Sequence, residues 1–376
     1  MLDAAGSRVP ARLAVAGARI RIEVDDATAR YPIVVDPILR LVEEATLVPS
    51  LGAPSEGFGY SVALSADGTR AIVGAYFADT VGGVDAGSAR IFVRAGSTWV
   101  EEAALLASGG AAGDWFGGSV ALSADGSRAI VGASGDDTAG GVDAGSARVF
   151  RRTGSTWVEE ATLLGTGGAA GNRLGWSVAL SADGGSAIVG TPFDALAISG
   201  GGSARIFLRS GTTWAESAAL VASDAGVFDL LGDAVALSAD GSRALVGAPR
   251  DDTAGNSDAG SARVFVRIGT SWTEEASLFP TGGAVGDHFG AAVALSVDGS
   301  RALVGAPDDD TLDGPDAGSV RAFLRSGSTW SEEATLLAAG GASGDTFGTE
   351  VALSADGGRA LIGAPSDDTV DGADAG

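Results

Sequence analysis

The residues best equipped for chemistry in this chain are aspartates, and they recur in a fixed pattern. Asp136-Asp137 with Asp143, Asp251-Asp252 with Asp258, and Asp308-Asp309-Asp310 with Asp313 and Asp316 each fall within one short stretch, and Asp114, Asp287 and Asp345 stand in a second recurring stretch. Clustered carboxylates and carbonyls are what a hard divalent cation takes, roughly six to eight oxygens at a time for Ca2+. Asp also favours turns and keeps a surface solvated, so the pattern supports a calcium reading and a plain turn reading together. The candidate metal ligands are Asp136, Asp137, Asp143, Asp251, Asp252, Asp258, Asp308, Asp309 and Asp310. No segment fits the EF-hand loop. His288 is the sole His; as a general base it needs a positioned nucleophile and an orienting group, and the sequence marks neither. With no Cys there is no thiolate nucleophile, zinc-thiolate cage or disulfide framework. The expectation is a non-enzyme.

Composition narrows the partners. The chain has 376 residues, 48 of them acidic and 24 basic, for a formal charge of −24, and every basic residue is Arg. Nucleic acid and anionic membrane are polyanions, so neither is an expected partner. A hydrophobic content of 45% excludes a disordered acidic polymer. No apolar run approaches the ~18–20 residues that span a bilayer, so direct membrane insertion is not expected. The opening, Met1-Leu2-Asp3-Ala4-Ala5-Gly6-Ser7, has neither the basic start nor the apolar core of a signal peptide.

What must position those residues is set by an internal repeat. The phrase Leu-Ser-x-Asp-Gly recurs with its Ser at 65, 123, 181, 238, 296 and 354, and a Trp keeps the same step at 99, 157, 214, 272 and 330. A period of about 58 residues indicates an array of supersecondary units that bury their faces against one another. One unit runs Ser119-Val120-Ala121-Leu122-Ser123, Asp125-Gly126, Ala129-Ile130-Val131-Gly132, an acidic stretch, Ala147-Arg148-Val149-Phe150, then Gly154-Ser155-Thr156 and Trp157 to Leu164. These are four short β-rich runs with no helical periodicity. Asp-Gly between the first two predicts a type I′ turn with two positive φ angles, and Gly-Ser-Thr a second tight hairpin. The fold expected is all-β: a β-propeller of four-stranded blades, six of them partial or complete.

The motifs carry a family resemblance. Phe-Gly opening a unit, Val246-Gly247-Ala248-Pro249 and Val304-Gly305-Ala306-Pro307 further on, then Gly-Ser-Ala-Arg-Val-Phe, resemble FG-GAP repeats. They are similar to the blades of the integrin α-subunit propeller, in a variant common in large secreted or surface-anchored bacterial proteins. The third unit departs from the wording with Arg173-Leu174-Gly175 and Gly190-Thr191-Pro192, and the first with Gly74-Ala75-Tyr76. The integrin Asp-x-Asp-x-Asp-Gly calcium cage belongs in the first–second loop. That loop is only Asp-Gly here, so the cage is not carried over.

The resemblance divides the chain into 41–376, the repeats, and 1–40, the tail of an upstream β-rich segment. In that tail Arg19 to Asp25 alternates as a strand should, Asp25-Asp26 suggests a turn, and Ile33-Val34-Val35 a second strand. Glu43 to Leu47 matches a fourth strand standing alone, five full units follow, and the sixth stops before its Ser-Ala-Arg strand. The expectation is a truncated piece of a larger polypeptide, secreted or at the cell surface, whose export signal lies elsewhere.

In such a blade the two tight turns share one face, and the longer second–third and inter-unit loops share the other. On that second face the position before Phe-Gly or Leu-Gly reads Gly57, Trp115, Arg173, Leu230, His288 and Thr346 while its neighbours barely change. A varied ring on a uniform frame is how repeat proteins build recognition surfaces, although an exposed turn position also drifts freely. Trp115, Arg173, Leu230, His288 and Thr346 are therefore the candidate ligand-binding residues. The function expected is a non-enzymatic adhesion-type module for a protein or glycan ligand. The alternatives are a structural spacer, or the accessory propeller of an enzyme whose catalytic domain lies outside this sequence.

Overall fold

The computed structural model describes residues 11–16, 19–24, 45–253 and 256–368. Two compact units divide the chain, Met1–Thr46 and Leu47–Gly376. In the first, β1 (Ala11–Ala16) pairs antiparallel with β2 (Arg19–Val24), Ala11 opposite Val24. The strand expected from Arg19 is present and its partner precedes it. The turn read at Asp25-Asp26 and the strand at Ile33 to Val35 lie outside the described residues.

The second unit is a propeller array. Blade one holds β3 (Phe58–Leu64), β4 (Arg70–Ala75), β5 (Ser88–Ala95) and β6 (Thr98–Leu105). Blade two holds β7 (Phe116–Leu122), β8 (Arg128–Ala133), β9 (Ser146–Thr153) and β10 (Thr156–Leu163). Blade three runs from β11 (Val178–Leu180) through β12 (Ser186–Thr191) and β13 (Ser203–Ser210) to β14 (Thr213–Leu220). Blade four comprises β15 (Val235–Leu237), β16 (Arg243–Ala248), β17 (Ser261–Ile268) and β18 (Ser271–Leu278). Blade five comprises β19 (Ala292–Leu295), β20 (Arg301–Ala306), β21 (Ser319–Ser326) and β22 (Thr329–Leu336). Blade six shows β23 (Glu350–Leu353) and β24 (Ala360–Gly363). Each of the first five is an antiparallel sheet in sequence order, and no helix occurs among the described residues.

Burial explains why the second strand of each blade is an unbroken apolar run. Ile130 and Val131 are adjacent, yet both are fully buried. Val131 packs with Ile72 of blade one, and Ile130 with Ala187 and Val189 of blade three. A strand covered on both faces has no polar side to alternate with. The outermost strand, Thr-Trp-Val-Glu-Glu-Ala-Thr-Leu, alternates between exposed and half-buried positions.

The Asp-Gly turn differs from the sequence expectation. Gly126 alone has positive φ (62°), and its N–H bonds to the Ser123 carbonyl at 2.9 Å. The turn therefore spans four residues, Ser123 to Gly126, with the Asp125 carboxylate accepting from Ser123 Oγ (2.7 Å) and from the Ser127 N–H (2.9 Å). Asp125 stays right-handed because its carboxylate, not a second left-handed residue, closes the loop. At Gly154-Ser155 only the Gly has positive φ (66°), which suits the II′ hairpin.

Blades are stitched by polar contacts as well as apolar ones. On the hairpin rim the Ala66 N–H donates to Ala124 O (2.9 Å), and the same step continues through Ala182, Ala239 and Val297 to Ala355. Near the centre, Ser61, Ser119 and Ser177 accept through Oγ from the N–H of Val120, Val178 and Val235 in the next blade, at 3.0 to 3.1 Å. On the outside, Trp157 Nε1 donates to Glu102 of the preceding blade at 3.1 Å, as Trp330 does to Glu275 at 3.2 Å. Burial alone would raise the Glu275 carboxyl, but hydrogen bonds from Arg325, Arg243 and Trp330 outweigh it and hold the group at about 2.

The first strands face a common centre. Each lies beside the first strand of the next blade, β3 by β7, β7 by β11, β11 by β15, β15 by β19 and β19 by β23; burial pushes the Tyr60 hydroxyl up, and Tyr76, Glu350 of blade six and Asp233 just before β15 push it further. The end blades leave two faces uncovered. Val62 is 67% exposed where Val120 is 6%, and Leu361 is 76% exposed where Leu303 is 3%.

Candidate functional site

The two longer loops lie side by side across each blade junction. Trp115 N–H bonds to Asp85 O (3.2 Å), Arg173 to Asp143 O (3.1 Å), His288 to Asp258 O (3.2 Å) and Thr346 to Asp316 O (3.1 Å). Both residues of every pair are left-handed, with φ between 51° and 58°. Backbone contacts thus fix the corner and leave the side chain free to vary, even to Thr346, where a β-branched residue pays strain.

The structure sends the five candidate ligand-binding side chains to different places. Arg173 lies over the Trp115 ring, 4.7 Å from its centroid, and 3.7 Å from Asp143. His288 Nδ1 is 2.6 Å from Asp308 Oδ2. Leu230 is buried, and Thr346 Oγ1 donates to Asp345 O at 2.7 Å. Only Trp115 and Arg173 meet.

The acidic candidates divide by role. Asp136 accepts from Arg148 Nη2 (2.7 Å) and Ser146 Oγ (2.5 Å), Asp251 from Arg263 (2.5 Å) and Ser261 (2.6 Å), and Asp309 from Arg321 (2.9 Å) and Ser319. Arg148 also meets Glu159 of the neighbouring strand β10 at 3.2 Å. Asp137, Asp252 and Asp310 accept from the backbone N–H of Asp143, Asp258 and Asp316 at 2.9 to 3.1 Å. Asp308 is held by His288. Among the described residues no three His, Cys, Asp or Glu side chains gather as a metal site.

Behind these loops Asp114, Asp229, Asp287 and Asp345 are almost fully buried. Burial pushes the Asp114 carboxyl up, the Ala111 N–H pulls it down, and the Asp136 charge pushes it up again. In blade three the position is Asn172, whose Nδ2 donates to Asp194 Oδ1 at 3.1 Å. Asp114→Asn copies that arrangement and is expected to stabilise the fold by about 1 kcal/mol at neutral pH, the worth of one net hydrogen bond. The wild-type penalty exists above the raised folded pKa and is relieved as pH falls through it, so the advantage of the variant should vanish in acid. Urea midpoints at neutral and acidic pH check this; an advantage that grows in acid contradicts it.

Two further variable positions come to light only in three dimensions. The residue after Phe-Gly or Leu-Gly reads Tyr60, Gly118, Trp176, Asp233, Ala291 and Thr349. The residue two beyond Gly-Ala or Gly-Thr reads Phe77, Gly135, Phe193, Arg250, Asp308 and Ser366. Both vary within the constant frame as freely as the slot before Phe-Gly, and that variation was the available signal. Tyr60 stacks on Tyr76 (4.3 Å) and Tyr76 on Phe77 (3.8 Å), while Trp176 meets Phe193 edge-on (5.9 Å, 85°). Burial pushes the Asp233 carboxyl up to about 6, against the pull of the Trp176 indole N–H and of the Arg250 and His288 charges, while Glu350 adds to the rise. Members of all three sets therefore come together around Asp233: His288 from the first, Trp176 and Asp233 from the second, and Arg250 and Asp308 from the third.

The family model for the FG-GAP repeat matches residues 41–92, 99–150, 157–207, 214–265, 272–323 and 330–376. Among solved structures, the fold is similar to that of hydrazine synthase from Kuenenia stuttgartiensis, with a TM-score of 0.51, 12% identity, and coverage of 85% of this chain and 77% of that one. At that identity the likeness is one of fold alone. No curated protein sequence matches the chain.

Proposed function

The chain belongs to the FG-GAP repeat family, and from that premise we propose that it is a binding module of the extracellular or cell-surface type, with the longer-loop rim as its contact face. Integrin-type propellers of this family are not catalysts. One observation carries the reading: three positions per repeat vary while the Phe-Gly, Gly-Ala and Ser-Ala-Arg frame holds, and members of all three sets, among them His288, Trp176 and Arg250, come together around Asp233. Loops on a rigid scaffold are where repeat proteins place recognition. In this reading residues 41–376 form the module and 1–40 belong to an upstream segment.

The test uses the repeat's own alternatives. Trp115→Gly with Arg173→Thr installs the residues that blades one and six carry in the same slot, so the fold is expected to persist. Surface plasmon resonance against immobilised matrix proteins should show binding that falls about tenfold, or 1.4 kcal/mol, in this variant and not in Ser155→Ala on the opposite rim. Equal losses in both, or none in either, would favour a spacer.

Calcium enters this reading as a screening ion. Clustered carboxylates repel one another, so Ca2+ should raise the melting temperature modestly, with Mg2+ or NaCl at matched ionic strength giving most of the effect. A built site of millimolar affinity would add about 2.7 kcal/mol at ~100-fold excess. A large Ca2+-specific shift lost in Asp258→Asn with Asp316→Asn would show such a site.

A further inference from the structure

We infer that the cavity between blades two and three is a pocket for a neutral carboxamide, the end of a Gln or Asn side chain on a bound partner; this deepens the binding-module reading and rests on it. The cavity holds about 250 Å3 and lies between the second–third loop of blade two and the loop that enters blade three. Ala139 and Leu164 at its lip are exposed, while Asn172, Leu174, Thr191 and Arg205 beneath them are buried. A drug-sized ligand takes roughly 300–1,000 Å3, so this space suits one side chain.

Two polar atoms among the lining residues are buried without a hydrogen-bond partner, Arg205 Nε and Thr191 Oγ1. In blades two and four, Arg148 and Arg263 direct the same Nε onto Ser146 and Ser261 at 3.2 and 3.1 Å. Their Nη1 atoms also reach the hydroxyls of Thr162 and Ser277, where blade three has Ala219. A buried donor left unpaired is destabilising, and an acceptor brought by a ligand removes that penalty.

Three departures from the repeat meet at this cavity. Gly165 stands where the other junctions between described blades have Ala or Pro, Asn172 where they have Asp, and Thr191 where every other blade has Ala. Gly165 is not left-handed. A Cβ on it would make only ordinary contact, 3.5 Å from Leu174 Cδ1 and 3.8 to 3.9 Å from Cζ and Nε of Arg205. Neither packing nor backbone conformation therefore calls for glycine, and the missing methyl opens the space over the guanidinium. Arg321 Nε is also unpartnered, but Pro280, Asp287 and Ala306 hold the three corresponding positions there.

Charge and shape choose the occupant. Arg205 already gives Nη2 to Asp194 (2.5 Å) and Nη1 to Glu216 (2.9 Å), so an anion would meet two carboxylates and one neutralised cation. A cation would find the neutral Asn172 in place of a carboxylate. An apolar group would leave both orphaned atoms unmet. Nε–H only donates, and the Thr191 hydroxyl donates or accepts. A carboxamide offers its C=O to the first and either half to the second, on a methylene stem suited to Leu164 and Leu174.

Isothermal titration with capped Gly-Gln-Gly and Gly-Asn-Gly peptides, and with Glu, Met and Lys in the central place, tests the proposal. The Gln or the Asn peptide should bind about tenfold or more tightly than the charged and apolar ones. Gly165→Ala, which fills the space over Arg205, and Thr191→Ala, which removes one partner, should each abolish that preference. Neither should lower the melting temperature, because sibling blades carry the same residues. No preference for a carboxamide, a preference for the Glu peptide, or a preference that survives Gly165→Ala overturns the assignment. So does a crystal structure with the favoured peptide that shows only water in the cavity. Matrix-protein binding that still falls in the Trp115 and Arg173 variant, beside no carboxamide preference, would leave the module reading standing and remove only this one.

Discussion

Gly247→Ala lowers stability by about 3 kcal/mol or more, the range reserved for forced overlap in a packed interior. A Cβ on Gly247 would sit 1.9 Å from the Gly290 carbonyl oxygen of the next blade, and neither atom belongs to a side chain that can swing away. Gly290 has φ 104°, and a Cβ on it would lie 2.2 Å from Ser261 O. The same approach recurs at Gly74 with Gly117, Gly132 with Gly175, Gly190 with Gly232 and Gly305 with Gly348, at 1.9 to 2.1 Å. The two glycines that give the family its motif are thus the two sides of one backbone-to-backbone contact between blades. Gly118→Ala, whose Cβ would meet only Trp115 O at an ordinary 3.5 Å, is the control. Urea midpoints that coincide for the two variants would refute the account.

Appending a copy of Ser319–Leu336 after Gly376 raises the stability of blade six. In blade five, β20 pairs with β21 at Arg301 opposite Leu324 through Ala306 opposite Ser319, whereas β24 has no such partner among the described residues. Pairing that edge supplies the backbone partners β24 lacks, and an open edge is a template for association. The appended Ser and Arg would also meet Asp367, which stands where Asp309 receives Ser319 and Arg321. Amide exchange across β23 and β24 should slow in the extended protein; unchanged exchange would contradict the pairing.

Much of this was legible in the sequence because repetition multiplies weak signals. Strand order, the twin tight turns and the Trp between blades all follow from local pattern and a constant step. The turn at Asp125-Gly126 was misassigned because a carboxylate that bonds Ser123 and Ser127 leaves no mark on the Asp-Gly pair itself. The pairing of Asp136 is invisible in the sequence for a similar reason. Its partner Arg148 lies twelve residues on, and only the pairing of β8 with β9 brings the two together. The cluster around Asp233 is hidden more deeply: Trp176 and His288 lie dozens of residues away on either side, and nothing local says that they meet.

The Ser hydroxyls at the centre give the array a gradient of tightness. Ser61, Ser119 and Ser177 tie blades one to four, but the same position is Ala234 and Ala292 in the next two. Each such bond is worth about 1 kcal/mol, and in a stack of nearest-neighbour interfaces such differences decide where opening begins. The seams between blades four, five and six are therefore the ones that breathe. His288 and Asp308 ride on that looser half, while Trp176, Asp233 and Arg250 stand on the firmer one, so the cluster around Asp233 joins a fixed side to a yielding side.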